Sequence, residues 1–215
     1  MSTENHDLEG RPRGARMPRR ERRAQLLDSA LEVFVAHGYH AAAMDDIAER
    51  AGVSKPVLYQ HFPGKLELYM ALLDDSCNAI TESIRAALAS TQDNKQRVAD
   101  AIAAFYSYVA QETGAFRLVF ESDLTNDAAV RERVERVTED AAASIAVVIQ
   151  QDTGLPMRAC MLLAVALVGM GQVSARFWLS DTANGGSGDA ISQKDAAALV
   201  AALGWRGIGG YPKEQ

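Results

Sequence analysis

Residues that could build a disulfide framework or a metal site are scarce in this sequence. It holds two cysteines, Cys77 and Cys160, and four histidines in 215 residues. The cysteines lie far apart and show no ligand spacing, and His37 and His40 have no third ligand near them in the sequence. A thiol-poor chain of this kind fits the reducing cytoplasm, where we expect the protein to be located. We therefore expect no disulfide, no metal and no bound cofactor.

Signals for export, membrane insertion and catalysis are also missing. The N-terminus is Arg-rich and has no apolar core stretch, so it is unlike a secretory signal. The longest apolar run, residues 159–173, is interrupted by glycines and Gln172 and is too short to span a bilayer. We find no Gly-rich phosphate loop, no Cys/His pairing and no Glu-x-x-His motif. Neither a membrane segment nor an enzyme is therefore expected.

The chain has no overall basic surplus, since its net charge is −6, but the charge is unevenly distributed. Residues 11–65 contain ten Lys and Arg against six Asp and Glu, and the rest of the chain contains twelve against twenty-two. A basic end on an acidic body favours contact between that end and a polyanion such as DNA. A DNA-architectural protein would need a basic body as well. For the arginines of the N-terminal arm, a solvated and solubilising tail is the alternative.

Alternating patterns typical of β-strands are absent, and so are internal repeats, which predicts an all-α fold of about nine helices. The sequence predicts a disordered basic arm over residues 1–18, a three-helix head over 19–66 and a helical body over 67–210. The first helix should run from 19 to 37 and stop at Gly38. A single long helix from Lys65 to about residue 90 should join the head to the body.

The best-defined stretch of the head is residues 44–65. Met44, Ile47, Ala48 and Ala51 form one apolar stripe of a short helix, which Gly52 ends. The chain then restarts at Ser54, whose hydroxyl is a candidate N-cap for a second helix. This arrangement is a helix-turn-helix that presents its second helix, although an ordinary αα-hairpin gives the same pattern.

The residues of this stretch carry a resemblance to a known family. Gly38-Tyr39, Ile47-Ala48, Ala51-Gly52-Val53-Ser54, Leu58-Tyr59, His61-Phe62 and Lys65 together resemble the DNA-binding domain of TetR-type transcriptional regulators. The resemblance covers roughly residues 20 to 70. It implies a homodimer that binds a palindromic DNA operator.

Two groups of side chains are predicted to contact DNA. The backbone phosphates are assigned to Tyr59, His61 and Lys65 by the resemblance and to Arg19, Arg20 and Arg23 by charge. The exposed face of the second helix carries Lys55, Pro56, Val57 and Gln60 toward DNA, and Lys55, Val57 and Gln60 are the candidates for base recognition.

A closer resemblance concerns the body. The stretch from Gly38 to Tyr69, residues 92–97, the segment FRLVFE at 116–121 and LVGM at 167–170 are similar to FasR-type actinobacterial regulators of fatty-acid synthesis. This resemblance implies an activator whose DNA binding is released by long-chain acyl-CoA. The alternative is a TetR-type repressor of an efflux or catabolic gene that responds to another apolar small molecule.

Soft and aromatic side chains of the body are candidates to line the ligand cavity, although each of them could equally be plain core. They are Phe105, Tyr108, Phe116, Phe120, Met161, Met170 and Phe177. We expect an acyl chain between the long helix and the helices of Phe105 and Phe177 to tilt the long helix and change the separation of the two heads.

The helix predicted from Met157 to about residue 180 is more apolar than the core of one monomer requires. Together with the Ala-rich last helix it is predicted to pair with the same surface of a second chain, as the last two helices of TetR-type proteins do. Two recognition helices would then lie on one face of the dimer, at least one helical turn of DNA, about 34 Å, apart.

Overall fold

A computed structural model describes residues 17–111, 113–120, 124, 127–183 and 190–208. The described residues form helices and no strand, so the predicted all-α class is confirmed. Residues 1–16 of the predicted arm, with three of its arginines, and the predicted loop at 184–188 lie outside the described residues. The helices are α1 (Arg19–Ala41), α2 (Met44–Arg50), α3 (Lys55–His61), α4 (Lys65–Ala89), α5 (Asn94–Gln111), α6 (Thr113–Phe120), α7 (Ala128–Thr153), α8 (Met157–Ala183) and α9 (Gln193–Ile208).

Helices α1, α2 and α3 form the head around one apolar centre. Leu26, Ala30, Ile47 and Leu58 are fully buried there, and Phe62 closes the centre below α3. Regular geometry in α1 ends at Gly38, whose φ of 73° is accessible to glycine at little cost, so one irregular turn follows the predicted stop.

The turn between α2 and α3 differs from the prediction in how its helices are capped. The Ser54 side chain makes no capping hydrogen bond, although Ser54 stands at the N-cap of α3. At α2 the N-cap residue is Ala43, which has no side-chain acceptor, and the carboxylate of Asp46 accepts the Ala43 backbone N–H at 3.2 Å. Pro56 lies in the first turn of α3, where its missing N–H leaves no bond unmade.

The body is built on α4, which packs against α5 on one side and α7 on another. Helix α7 also packs along α8, and α9 packs against α5. The carboxylate of Asp127 accepts the backbone N–H groups of Ala129 and Val130 and so fixes the start of α7. Gly154 ends α7 in a left-handed conformation, as the sequence predicts.

Short helix α6 lies between the head and the body, because it contacts α1, α4 and α5. Gly114 brings α6 so close to α1 that a Cβ atom there would lie 3.0 Å from the Val35 methyl carbon and 3.7 Å from Leu31. The head and the body are therefore joined by two elements, the continuous α4 and the packed α6.

Within the described residues, the segment Met157–Asp181 of α8 is long and apolar enough to cross a membrane by length and composition alone. The apolar run 159–173 is only part of this segment, because the helix continues beyond it for about two more turns. One such helix is weak evidence for a membrane, because helices of soluble proteins meet the same criteria.

Candidate DNA-binding surface and ligand cavity

Helix α3 presents one polar face to solvent. Leu58 is buried against the head, whereas Lys55, Pro56 and Gln60 are exposed and Tyr59 is 47% exposed. Val57 is half-buried at the edge of this face. The buried side of the helix packs against the head, and the opposite side presents the predicted base-recognition residues to solvent. Base recognition in the major groove requires this geometry.

A groove of about 570 Å³ separates α3 from the start of α1. It is lined by Met17, Pro18, Arg19, Arg22, Val57, Gln60 and His61. Burial, and then the charges of Arg19, Arg23 and Arg22, lower the pKa of His61. The groove is therefore a positive environment that a phosphate group would neutralise.

Two of the predicted cationic contacts have partners in the free head. The ammonium of Lys55 lies 2.6 Å from the Asp45 carboxylate, and this hydrogen bond raises the pKa of Lys55. The guanidinium of Arg23 lies 4.6 Å from the centre of the Phe62 ring. Both side chains remain exposed, so DNA can compete for them. Arg20 is exposed near the start of α1.

Lys65, which is predicted to bind a phosphate, is bonded to the backbone of the head in this structure. Its ammonium donates to the carbonyl oxygens of Tyr39 at 2.8 Å, His40 at 3.3 Å and Ala42 at 2.8 Å. It also lies 4.5 Å from the centre of the Tyr39 ring. A lysine has three N–H donors, and all three are used on the carbonyl groups that follow the Gly38 bend. Lys65 therefore links α4 to the end of α1, with its donors directed at the backbone.

An aromatic cluster continues this junction into the body. The Phe34, Tyr39 and Tyr69 rings lie with their centroids 5.2 to 5.9 Å apart. The Tyr69 hydroxyl donates to the carbonyl oxygen of Leu118 in α6 at 3.3 Å. Helices α1, α4 and α6 thus meet at one packed point.

The body contains an apolar cavity of about 60 Å³ between α4, α5, α7 and α8. Its wall is formed by Ile80, Ile84, Ala101, Ile102, Phe105, Phe120, Val137, Ala141, Ile145, Leu167, Val168, Gly171 and Gln172. The amide of Gln172 donates to the Thr138 hydroxyl at 3.3 Å. Every other side chain of this wall is apolar, so the cavity is suited to a hydrocarbon group.

Of the predicted lining residues, Phe105 and Phe120 lie in this wall and five do not. Phe177 is 69% exposed on the surface of α8, and Met170 points at Gly204 of α9. Met161 packs in a separate small cluster around Cys160. These three side chains lie outside the wall of the present cavity. Because α8 is apolar on nearly all sides, its periodicity does not indicate which side faces the cavity.

The other two predicted lining residues also lie outside this wall. Phe116 is fully buried, with its ring centroid 6.2 Å from Phe105 and 5.1 Å from Phe120. The Tyr108 hydroxyl donates to the Ser76 carbonyl at 3.4 Å. Sequence reasoning missed Ile80 and Ile84 of α4 as cavity residues, although their spacing of four already indicated that they share the inner face of that helix.

Apolar side chains also cover the outer surface of α8 and α9. Leu162 is 72% exposed, and Val173, Phe177, Leu199 and Leu203 are exposed to a similar degree. On α8 the residues 162, 173 and 177 recur at the spacing of a single helix face. A continuous apolar stripe of this kind is typical of a protein–protein interface.

Comparison with known proteins agrees with both parts of the structure. The sequence profile of "Bacterial regulatory proteins, tetR family" matches residues 26–72. The chain is 42% identical over 204 residues to the HTH-type transcriptional activator FasR of Mycolicibacterium smegmatis, covering 94% of this chain and 90% of that protein.

Solved structures give the same result. A TetR-like transcriptional regulator from Rhodococcus sp. RHA1 superposes with a TM-score of 0.72 at 28% identity, over 91% of this chain and 100% of that chain. The regulator FadR from Bacillus subtilis, in complex with stearoyl-CoA, superposes with a TM-score of 0.71 at 18% identity, over 84% and 96% of the two chains. Each of these relatives is a transcriptional regulator. The chain is therefore a transcriptional regulator that belongs to the TetR family.

Proposed function

We propose that this regulator binds a palindromic operator as a homodimer and that a long-chain acyl-CoA in the apolar cavity releases it from DNA. Genes of fatty-acid synthesis are the proposed targets. The observation that carries the proposal is that the cavity and the head share α4. Lys65 bonds α4 to the head, and Ile80 and Ile84 of the same helix line the cavity.

DNA binding is assigned to the exposed face of α3 and the basic groove beside it. Lys55, Val57 and Gln60 would read base edges, and Arg19, Arg20, Arg23, Tyr59 and His61 would hold phosphates. Support comes from the exposure of all these side chains except the half-buried Val57 and His61, and from the concentration of arginine at the start of α1. Lys65 is removed from the phosphate contacts.

The apolar stripe on α8 and α9 would be covered by the same stripe of a second copy. Each residue of an isologous interface occurs once in each protomer, so Leu162 and Phe177 would contribute four buried side chains to the dimer. Full burial of one large apolar side chain stabilises an interface by about 1.5 to 3 kcal/mol. Dimerisation also explains why a helix as apolar as α8 is exposed in one protomer.

The chemistry of the cavity wall favours an acyl chain, but its volume is small. A cavity of about 150 Å³ accommodates one benzene molecule, so 60 Å³ is too little for a long chain. The ligand would therefore have to push α4, α5, α7 and α8 apart. Support for acyl-CoA as ligand comes from the similarity to FasR and to the FadR that was crystallised with stearoyl-CoA.

This forced widening provides the regulatory mechanism. Ile80 lies about 22 Å along α4 from Lys65, since each residue advances the helix by about 1.5 Å. A tilt of about 10° at the cavity would move the head end of α4 by roughly 4 Å over that length. Phe120 would transmit the same displacement through α6 to α1, because Gly114 of α6 packs on Val35.

Only a modest free energy is needed for release. DNA fixes one separation of the two heads, and a ligand that favours another separation by about 1 to 3 kcal/mol weakens DNA binding roughly 5- to 150-fold. Linkage then requires DNA to weaken ligand binding by the same factor. The two affinities can be measured independently, which makes the proposal quantitative.

The test is a two-step titration of the purified full chain. A duplex selected by the protein from random sequence is first used to measure DNA affinity and the symmetry of the site. Stearoyl-CoA is then added, with free coenzyme A and stearate as matched controls. An operator affinity unchanged by saturating stearoyl-CoA would remove the ligand assignment and leave DNA binding intact, and would favour a repressor of an efflux or catabolic gene with another apolar effector.

A further inference from the structure

A second, polar pocket of about 260 Å³ opens between α4 and α7. Its wall combines residues of α4 with residues of α7: Asp74, Cys77, Asn78, Thr81, Arg133, Arg136, Val137 and Asp140. The pocket contains two arginines, two aspartates, an amide and a hydroxyl, so it offers both hydrogen-bond donors and acceptors.

This polar pocket adjoins the apolar cavity. Val137 lines both, and it is buried at 5% exposure. Thr81 and Asp140 in the polar pocket immediately neighbour Ile80 and Ala141 in the cavity wall. The cleft between α4 and α7 therefore changes from polar to apolar within one helical turn, and Val137 lies at the boundary.

The charges of the pocket are arranged in layers. Arg133 is paired with Asp74 across the cleft, and both side chains are partly covered. Arg136 lies further out, where its side chain is 54% exposed and its guanidinium donates to the Glu132 carboxylate on the same helix at 2.7 Å. The inner pair is thus neutral. At the rim Arg136 is exposed between Glu132 and Asp140 of its own helix, so a phosphate would have to compete with these carboxylates for the guanidinium.

Covalent chemistry with a thioester is not supported by the one thiol of this wall. Burial, followed by the Asp74 charge, raises the pKa of Cys77 to about 12. The thiol is protonated at neutral pH and is a weak nucleophile. The pocket is therefore suited to binding a group without reacting with it.

We propose that this polar pocket is the mouth of the acyl cavity and binds the polar arm of an acyl thioester, while the acyl chain passes Val137 into the cavity. The Asn78 amide would bond an amide group of the arm, and the Thr81 hydroxyl, which donates to the Cys77 carbonyl at 3.0 Å, would accept from an amide N–H. Arg136 at the rim would bond a phosphate. The regulator would thereby recognise a carrier-bound acyl group, acyl-CoA, in preference to the free fatty acid. This inference rests on the proposed function.

The test compares two charge reversals, Arg136→Glu and Arg85→Glu. Arg85 is a close match, because it is 55% exposed and paired with Glu82 on its own helix, yet it lies outside the pocket wall. We expect Arg136→Glu to weaken stearoyl-CoA binding roughly tenfold, since a charge-assisted hydrogen bond is replaced by repulsion. Stearate binding should be unchanged, and Arg85→Glu should alter neither ligand.

A second variant, Asn78→Leu, removes the amide without changing charge and should also weaken stearoyl-CoA more than stearate. Calorimetry gives both affinities, and circular dichroism checks the fold of each variant. The assignment of the polar pocket as the mouth would be refuted if the two charge reversals weakened stearoyl-CoA binding equally, or if neither Arg136→Glu nor Asn78→Leu weakened it. Regulation by acyl-CoA would not be affected by that result. A wild-type chain that binds no stearoyl-CoA would overturn the proposed function and this inference with it.

Discussion

Replacement of Lys65 by methionine tests the junction between the head and the body. Methionine keeps an unbranched apolar stem and removes the ammonium that bonds Tyr39, His40 and Ala42. Hydrogen bonds to a charged group contribute about 1.5 to 3 kcal/mol, and an exposed cation–π contact about 0.5 to 1 kcal/mol. Because the site is half-buried, water can replace part of these lost hydrogen bonds in the variant. We expect the free energy of unfolding to fall by about 2 kcal/mol.

Two assays separate this role from a phosphate contact. For a chain of this size, 1 kcal/mol shifts Tm by about 2 to 4 °C, so the variant should melt roughly 4 to 8 °C lower. The logarithm of DNA affinity against the logarithm of salt concentration should keep its slope, because no phosphate contact is lost. Arg19→Ala provides the contrast, and its slope should flatten by about 0.9 per head, or about 1.8 per dimer.

The reasoning would be refuted by the opposite pair of results. If Lys65→Met flattened the salt slope as much as Arg19→Ala and left Tm unchanged, the ammonium would bind a phosphate and not the end of α1. A lower affinity with an unchanged slope is the expected result, because a loosened junction no longer holds α3 at the angle that DNA requires.

Three further substitutions address base recognition, the cavity and the dimer. Gln60→Ala should change the preference at one base pair per half-site by about 1 to 3 kcal/mol if its contact is bidentate; equal losses on operator and random duplex would show that Gln60 does not read sequence. Gly171→Ala should be tolerated, since its Cβ would lie 3.8 Å from the Phe105 ring. Gly171→Leu should fill the cavity and weaken stearoyl-CoA binding about tenfold or more, with DNA binding retained. An unaltered stearoyl-CoA affinity in the leucine variant would place the ligand elsewhere. Phe177→Glu should convert the dimer to a monomer in sedimentation and lower operator affinity. Val147→Glu, at an exposed position of α7, should do neither. A Phe177→Glu chain that remains dimeric would contradict the proposed interface.

Local patterns predicted the helices well because their signals are short-range. Gly38, Gly52 and Gly154 take the positive φ values that only glycine adopts readily, and each lies at the helix end that the sequence predicts. Alternation at three and four residues placed Leu58 and Phe62 inward on the head. These features depend on neighbours in sequence and need no knowledge of the tertiary arrangement.

The cavity wall and the Lys65 junction could not be predicted in the same way. Lys65 meets carbonyl groups 23 to 26 residues earlier in the chain, and nothing in the local sequence records that approach. In α8, Met170 and Gly171 are adjacent, yet the first faces α9 and the second faces Phe105. The rotation of an all-round apolar helix is set by its neighbours in space, so periodicity cannot determine it.

The shared junction at α1, α4 and α6 has a consequence for constructing hybrid regulators. Pro63-Gly64 looks like a natural place to exchange heads between proteins, but a cut there separates Lys65 and Tyr69 from the α1 carbonyls and rings that they contact. The family profile, which continues to residue 72, extends past both residues. A hybrid in which the first two turns of α4 come from the same parent as the head, and in which Gly114 of α6 keeps a matched partner on α1, should retain ligand control. A hybrid cut at Gly64 should bind DNA without responding to the ligand.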